Sequence, residues 1–308
     1  MEENNRMNMK TTLVNLRPVW YAIAGGLALA SFVMLGAWGL KQGIEFTGGT
    51  LMAVRFENRP SISDAESALR AAVSDLGTVV IQPAGEKDIQ FRLKTVSEDQ
   101  HQAITGTLKE RFGSVTELRY DAIGPSIGQE IRSKALSGLA ITLVAILLYI
   151  SYAFRGVSAP VESWKYGLVT ILASGFVVLI PLGLYAFLGY QYGTEIGTPF
   201  VAAILTIIGY SITDTIVVMD RIRENLLKAS GSFKEIVEMS IRQTFVRSIT
   251  NSMATLLTLV AIFLYGGNTL DEFTLPLIVG ITVGTFASML LASPLLITID
   301  KLGQRFKK

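Results

Sequence analysis

Residues 199–219 read PFVAAILTIIGYSITDTIVVM, an apolar run long enough to cross a lipid bilayer as a helix. Asp214 lies inside this run. A carboxylate near the middle of a membrane helix costs about 2.5–3.5 kcal/mol on insertion scales, so it is kept for a partner, a water-filled cavity or a proton to carry. A structural ion pair or a helix–helix hydrogen bond is one interpretation, and an ion-pathway carboxylate is the other.

The composition indicates an integral membrane protein. Half of the 308 residues are hydrophobic, the mean hydropathy is +0.45 and only 17% are charged, against roughly 25% in an average soluble domain. The net charge of +2 gives no argument for nucleic-acid binding. Without cysteine, disulfides and thiol chemistry are excluded. The single histidine, His101, falls in a polar helix pattern, and we expect it to lie at the surface. We therefore predict that the protein is not an enzyme and binds no metal or cofactor.

Six apolar stretches near 20 residues in length predict a polytopic α-helical membrane protein. In chain order, the expected transmembrane helices cover residues 18–40, 135–154, 166–188, 199–219, 248–265 and 274–297. The first stretch is too long and too evenly apolar for a cleaved signal peptide, so it is expected to be retained.

The basic residues of the short connections predict the orientation. Lys and Arg are found before 18–40, between 135–154 and 166–188, between 199–219 and 248–265, and after 274–297. The opposite short loops, near 189–198 and 266–273, contain Glu and Asp but no Lys or Arg, which predicts that both termini are in the cytoplasm. The remaining segments are then a cytoplasmic N-terminus (1–17) and a large extracytoplasmic segment (41–134). A cytoplasmic amphipathic loop along the inner surface (220–247) and a cytoplasmic tail (298–308) complete the chain.

The extracytoplasmic segment alternates strand and helix patterns in the order βαββαβ, which is typical of a small α+β ferredoxin-like domain between the first and second helices. The expected elements are LMAVRFE (51–57), a helix at 61–76, VVIQ (79–82), DIQFRLK (88–94), a helix at 98–112 and VTELRY (115–120). Ser63 with Glu66 and Ser97 with Gln100 have the spacing of capping boxes. The carboxylates are scattered over helix surfaces, so binding or a mechanical role fits this domain better than catalysis.

Three motifs carry a resemblance to a known family. They are GIEFTGGT (43–50), YDAIGPSIGQEI (120–131) and GYSITDTIVVMDRIREN (209–225). Together with the six spans they resemble the SecF subunit of the bacterial SecDF accessory protein translocase, of the resistance–nodulation–division superfamily, over nearly the whole chain. The motif residues are Gly43, Glu45, Gly48, Gly49, Asp121, Gly124, Pro125, Gly128, Gly209, Tyr210 and Ser211.

The resemblance implies an auxiliary role in protein export. A SecF subunit would use the proton-motive force with SecD, in a pseudo-twofold heterodimer, to promote preprotein translocation through SecYEG. YajC and YidC are further implied partners, together with unfolded preprotein and membrane lipid. The implied location is the bacterial inner membrane.

The resemblance also assigns a proton pathway. Asp214 matches the family's Asp in the fourth span, and Arg247 matches an Arg that enters the fifth span. Thr213 and Asn251 are added as polar positions at a similar depth. The alternative interpretation of Arg247 is a side chain that snorkels to the membrane boundary. The alternative for Thr213 and Asn251 is a hydrogen bond that packs helices together.

Two alternatives to the export function stay open at this stage. One is a half-transporter of a proton-driven small-molecule efflux system, and the other is a translocon assembly factor that transports nothing. The second predicts that Asp214 and Arg247 tolerate neutral substitution.

Overall fold

The chain divides into a helical unit and a small α+β unit. The computed structural model describes residues 12–153 and 161–306. Among these, the helical unit takes the residues up to Lys41 and those from Gly138 onward, and the α+β unit is Gln42–Ser137. In chain order the elements are α1 (Thr12–Asn15), α2 (Arg17–Trp38), α3 (Ile44–Thr47), β1 (Gly49–Phe56), α4 (Ile62–Ala72), β2 (Val80–Pro83), β3 (Asp88–Leu93), α5 (Glu98–Phe112), β4 (Val115–Ile123), α6 (Pro125–Ala153), α7 (Ser163–Tyr192), α8 (Thr198–Lys228), α9 (Phe233–Tyr265), α10 (Asn268–Phe286), a π-helical segment (Ala287–Ala292) and α11 (Ser293–Phe306).

Six spans in the described part of the chain are long and apolar enough to cross a membrane. They are α2, α6, α7, α8, α9 and, as one continuous span, α10 with the π-helical segment and α11. The predicted polytopic helical fold is therefore confirmed. In the most apolar stretch of α2 and of α6, only 6% of the residues are buried. The corresponding share is 39% in α7, 44% in α8 and 56% in the sixth span, so these three spans form the interior of the unit.

The connection between the fourth and fifth spans differs from the expected amphipathic loop at 220–247. α8 continues to Lys228 and α9 begins at Phe233, which leaves only residues 229–232 outside a helix. Ser232 and Glu235 form a capping box at the start of α9. Because no helix end separates 232–247 from the apolar residues after it, this stretch is the first half of one long helix.

The α+β unit has the predicted ferredoxin-like arrangement. Its four strands form one antiparallel sheet in the order β2-β3-β1-β4, with both neighbours of β1 antiparallel to it. The buried faces of the strands and of α4 and α5 share one apolar core, which includes Met52, Phe56, Leu69, Phe91 and Leu108. β1 and the edge strand β4 pair with each other, so the start of β1 and the end of β4 lie side by side in the sheet.

The start of α4 differs from the prediction, whereas that of α5 agrees with it. Ser61, not Ser63, caps α4, because its hydroxyl accepts the amide of Asp64 and the helix begins at Ile62. α4 also ends at Ala72, four residues before the predicted end. The capping box of Ser97 and Gln100 is confirmed.

His101 is more enclosed than its polar helix pattern indicated. Its side chain is 15% exposed, and its Nε2 lies 2.7 Å from a carboxylate oxygen of Glu117. The imidazole stacks on the Tyr120 ring with the ring centroids 3.8 Å apart. Burial raises the pKa of the Tyr120 hydroxyl. The histidine therefore joins α5 to β4.

Gly183 of α7 permits a close approach of α2. A Cβ atom placed on Gly183 would lie 2.5 Å from Ser31 Cβ and 2.6 Å from Ser31 Cα. Ser31 is the buried residue of α2. Small residues at such crossings let helix backbones pack closely in membranes.

We expect Gly183→Ala to destabilise the packing of α2 on α7, because the added methyl group meets backbone atoms that cannot turn away. Overpacking of this kind costs about 1–3 kcal/mol. The effect is measured as the unfolding temperature of the detergent-solubilised protein, with size-exclusion chromatography used to monitor unfolding. Gly175→Ala on the same helix is the control, since a Cβ there meets nothing within 4 Å. Equal stability of the two variants would contradict the close crossing.

Candidate functional site

Asp214 lies near the middle of α8, and hydroxyl groups from two other spans hold its carboxylate. Ser248 of α9 donates to Oδ1 at 2.5 Å, and Ser288 of the π-helical segment donates to Oδ2. Both serines are buried, with exposed fractions of 1% and 0%, whereas Asp214 is half-buried. Among the described residues, the carboxylate therefore joins the fourth, fifth and sixth spans without a cationic partner at hydrogen-bond distance.

Two glycines of α10 bring the sixth span close enough for this contact. A Cβ atom on Gly280 would lie 2.6 Å from Ile207 Cγ1, and one on Gly284 would lie 3.4 Å from Ser211 Cβ. Ser288 comes one helical turn after Gly284, and Asp214 comes three residues after Ser211. The small side chains thus set the separation at which the Ser288 hydroxyl reaches the carboxylate.

The four residues predicted for the proton pathway meet at one cavity. It has a volume of about 170 Å³ and a mixed polar and apolar lining, made by Tyr210, Thr213, Asp214, Val217, Arg247, Ser248 and Asn251. A water molecule occupies about 30 Å³ of the liquid, so there is room for several. Such a cavity can bring water, and with it protons, to the carboxylate.

Arg247 lies on the α9 wall of this cavity without pairing with Asp214. In the described part of the chain, no ion pair within 4.0 Å joins the two side chains. The position of Arg247 also differs from the expectation, because α9 begins at Phe233 and the arginine lies well inside the helix. Its side chain is exposed on the surface of the isolated chain.

A second group of hydroxyls lies one helical turn away from Asp214, Ser248 and Ser288. Ser252 of α9 accepts hydrogen bonds from Tyr210 at 3.2 Å and from Thr285 of α10 at 2.6 Å. Tyr210 belongs to one of the three sequence motifs, whereas the sequence analysis missed Ser248, Ser252, Thr285 and Ser288. Their only signal is a set of small hydroxyl residues spaced by three or four within apolar spans, which is equally typical of helix packing.

The other buried charged side chains of the helical unit, Lys165, Glu238 and Asp300, have charged partners, unlike the carboxylate of Asp214. Lys165 of α7 and Asp300 of α11 form a buried ion pair at 3.4 Å, with both side chains 7% exposed. Glu238 of α9 is 1% exposed and accepts the backbone amide of Val14 at 2.8 Å and the Arg242 guanidinium at 2.9 Å. Asp214 differs from both because, within the described chain, only neutral groups donate to it.

The glycines of the two flanking motifs pack backbone against backbone in the α+β unit. Gly48, with φ of +73°, would place a Cβ 2.7 Å from Pro125 Cα, and a Cβ on Gly128 would lie 2.8 Å from the Gly48 nitrogen. Gly49, with φ of +133°, starts β1. Asp121 of β4 lies opposite Leu51 near the same end of the pairing, and its carboxylate accepts a hydrogen bond from Arg119 Nε at 2.5 Å. These motif residues join the ends of β1, β4 and α6, and Asp214 lies in the helical unit instead.

Comparison with known proteins places the chain in a class. Residues 103–302 match the family described as Protein export membrane protein SecD/SecF, C-terminal, and residues 34–58 match the SecD/SecF GG Motif. The protein translocase subunit SecF of Thermobaculum terrenum is 38% identical over 299 residues, with 93% of each chain covered. That of Sebaldella termitidis is 35% identical and covers 97% of this chain and 94% of its own.

Two solved structures have the same fold. The crystal structure of SecDF, described as a translocon-associated membrane protein, from Thermus thermophilus has a TM-score of 0.79 at 32% identity, over 94% of this chain and 38% of that chain. SecDF in its super-membrane-facing form has a TM-score of 0.67 at 30% identity, over 96% of this chain and 39% of that one. This chain thus spans less than two fifths of the solved SecDF chains.

Six apolar spans with a ferredoxin-like unit after the first define a multi-pass membrane protein of the SecD/SecF export class. Within that class, the chain belongs to the SecF family of protein translocase subunits. The resemblance found in the three motifs is confirmed.

Proposed function

We propose that this subunit uses the proton-motive force, together with SecD, to promote translocation of unfolded preproteins through SecYEG. The observation that carries the proposal is the carboxylate of Asp214, which lies within the spans, is held by two neutral hydroxyls and borders a cavity. The resemblance to SecDF supplies the export context. YajC and YidC remain proposed partners, and no cofactor or metal is part of the proposal.

The hydroxyl partners allow Asp214 to exist in both protonation states. A serine hydroxyl can donate a hydrogen bond to a carboxylate, and the same oxygen can accept a hydrogen bond from a carboxylic acid. An ion pair would resist this change, because removing one partner of a buried pair costs about 3–5 kcal/mol. Asp214 can therefore gain and lose a proton without leaving a buried cation behind.

Arg247 supplies a positive charge across the cavity. Because it shares the cavity lining with Asp214 but forms no fixed pair with it, the guanidinium can compensate the carboxylate when that is ionised and turn to water when it is neutral. Thr213 and Asn251 complete the polar wall, and Asn251 lies one turn after Arg247. In this proposal all four residues line the route of the proton.

We place SecD on the side of the molecule where α9 is exposed. Large apolar side chains of α9 are more than one third exposed, among them Val246, Met253 and Leu257. Only 17% of the apolar window of α9 is buried in the isolated chain, although α9 contributes to the cavity. A partner subunit on this face would cover Arg247 and Asn251 and separate the cavity from lipid.

The rival interpretations have less support. Efflux of small molecules fits poorly with relatives that are named protein translocase subunits. An assembly factor that transports nothing does not need a carboxylate in the membrane interior, where it costs a few kcal/mol. The experiment on Asp214 distinguishes that rival from the proposal.

Replacement of Asp214 by Asn should abolish the part of export that depends on the proton-motive force, because an amide cannot carry a proton. Preprotein translocation into inverted membrane vesicles, with and without a proton gradient, measures this part. Asp220→Asn is the matched control on the same helix, since Asp220 is exposed and lies 3.7 Å from Arg223. Unchanged gradient-dependent export by the Asp214 variant, at normal protein levels, would favour the assembly factor.

The proposed location is the bacterial inner membrane with both termini in the cytoplasm and the α+β unit outside. The chain has no cysteine, so single cysteines can report the topology. We expect a membrane-impermeant maleimide to label Glu86→Cys, in the exposed β2–β3 turn, on intact spheroplasts. Ser230→Cys, between α8 and α9, should be labelled only after lysis. The reverse pattern would overturn the orientation.

Affinity purification of the tagged chain from detergent-solubilised membranes should recover SecD in a stoichiometric amount. Mass spectrometry identifies the recovered proteins. Val246→Asp on the exposed face of α9 should reduce this recovery, whereas Leu148→Asp on the exposed face of α6 should not. Recovery of a drug-efflux adaptor or an outer-membrane channel in place of SecD would point to efflux.

A further inference from the structure

The sixth span contains a wide turn next to Asp214. Between α10 and α11, residues Ala287–Ala292 are π-helical, with backbone hydrogen bonds that skip one residue more than in an α-helix. Such turns are rare and frequently occur at functional sites. The Ser293 hydroxyl donates to the carbonyl of Ser288 at 3.0 Å, five residues earlier, which adds a side-chain bond to the wide turn.

Ser288, within this turn, has two alternative acceptors for its one hydroxyl proton. Its oxygen lies at hydrogen-bond distance from Asp214 Oδ2 and 3.0 Å from the carbonyl of Thr285. A hydroxyl donates one proton at a time. An ionised carboxylate is the stronger acceptor, since bonds to charged groups are about twice as strong as neutral ones. Loss of the negative charge therefore frees the hydroxyl for Thr285.

The opposite side of the wide turn borders an apolar cavity of about 230 Å³. Its lining residues come from α2, α7 and the sixth span, and include Trp20, Ala24, Phe176, Phe286, Ala287 and Leu291. Close-packed interiors oppose rearrangement of a helix because side chains have no space to enter. Here the side chains of the turn have that space.

We propose that Ser288 is a positioning residue for Asp214 and that the π-helical turn gives up its hydrogen bonds when Asp214 takes up a proton. The inference rests on the proposed function, since it assigns the proton to Asp214. The charged or titratable groups that face Asp214 across its cavity are Arg247 of α9 and Tyr210 of its own helix, and the turn itself contributes only a hydroxyl.

The movement reaches the far end of the sixth span. Each residue of an α-helix turns the chain by about 100°, so a change in the number of residues per turn rotates the helix beyond that turn. The helix beyond the π-helical turn is α11, and its Asp300 is held by Lys165 of α7 in the buried ion pair. A rotation of α11 thus moves α7 as well, and the protonation of one carboxylate becomes a displacement of two spans.

The first test is structural and independent of export. Cryo-electron microscopy of the SecD-bound protein should show the π-helical turn in the wild type and α-helical hydrogen bonds at 287–292 in Asp214→Asn, which mimics the neutral acid. An unchanged turn in a variant that has lost gradient-dependent export would overturn the switch and leave the proposed function standing. Normal export by the same variant would remove both.

The second test uses Ser288 itself. Ser288→Ala removes a hydrogen bond to a charged group, which should slow gradient-dependent export by about tenfold to a hundredfold and move its pH profile by about one to two units. Ser288→Thr should restore part of both. Thr274→Val is the control on the same span, since that hydroxyl donates to the carbonyl of Leu270 in its own helix. A slower rate with an unmoved pH profile would indicate a structural role alone and contradict the positioning of Asp214.

A third variant leaves the Asp214 cavity untouched. Ala24→Leu fills part of the apolar cavity from α2, so it should hold the turn in its π-helical form even in combination with Asp214→Asn. Ala30→Leu on the exposed face of the same helix is the matched control and should leave the change in place. If Asp214→Asn makes the turn α-helical equally with Ala24→Leu and with Ala30→Leu, the cavity does not provide the space and the proposed rearrangement is wrong.

Discussion

The helical unit depends on satisfying one carboxylate in an apolar setting. Asp214 would be costly within the spans if it had no partners, and its two oxygens are bound by hydroxyls from α9 and from the sixth span. That arrangement requires the fourth, fifth and sixth spans to pack at a fixed distance. Gly280 permits it, since a Cβ there would lie 2.4 Å from Ile207 Cδ1, and Gly284 contributes a second small residue at the same crossing.

The distribution of compensated charge separates the rigid parts of the unit from the adjustable one. The carboxylate of Asp300 is paired with the charged Lys165. The carboxylate of Glu238 is bound by both the Arg242 guanidinium and the backbone amide of Val14. These contacts join α7 to α11 and α1 to α9. Within the described residues Asp214 has hydroxyl donors and a cavity, so its protonation can change at a smaller cost than that of the pairs. In the proposed mechanism the site is adjustable because its partners are neutral.

The α+β unit contributes geometry more than chemistry. Two glycine motifs bring the ends of β1, β4 and α6 into backbone contact, with Gly48 against Pro125 and Gly128 against Gly48. Side chains at these positions would meet backbone atoms, which explains why glycine is needed there. In the described residues, no group of three or more His, Asp or Glu is placed to hold a metal ion. A binding or mechanical role for this unit accordingly remains a proposal.

The sequence by itself determined the six spans, the βαββαβ order and the place of the Asp214 carboxylate inside an apolar run, because length, periodicity and a charge in an apolar run are local properties. It did not show that 232–247 continues into the fifth span, since an amphipathic first half and an apolar second half look like separate elements. Only the tertiary structure decided which groups bind Asp214. Ser248 and Ser288 lie 34 and 74 residues away along the chain, and small hydroxyl residues in apolar helices are common, so packing alone distinguishes these two from the others.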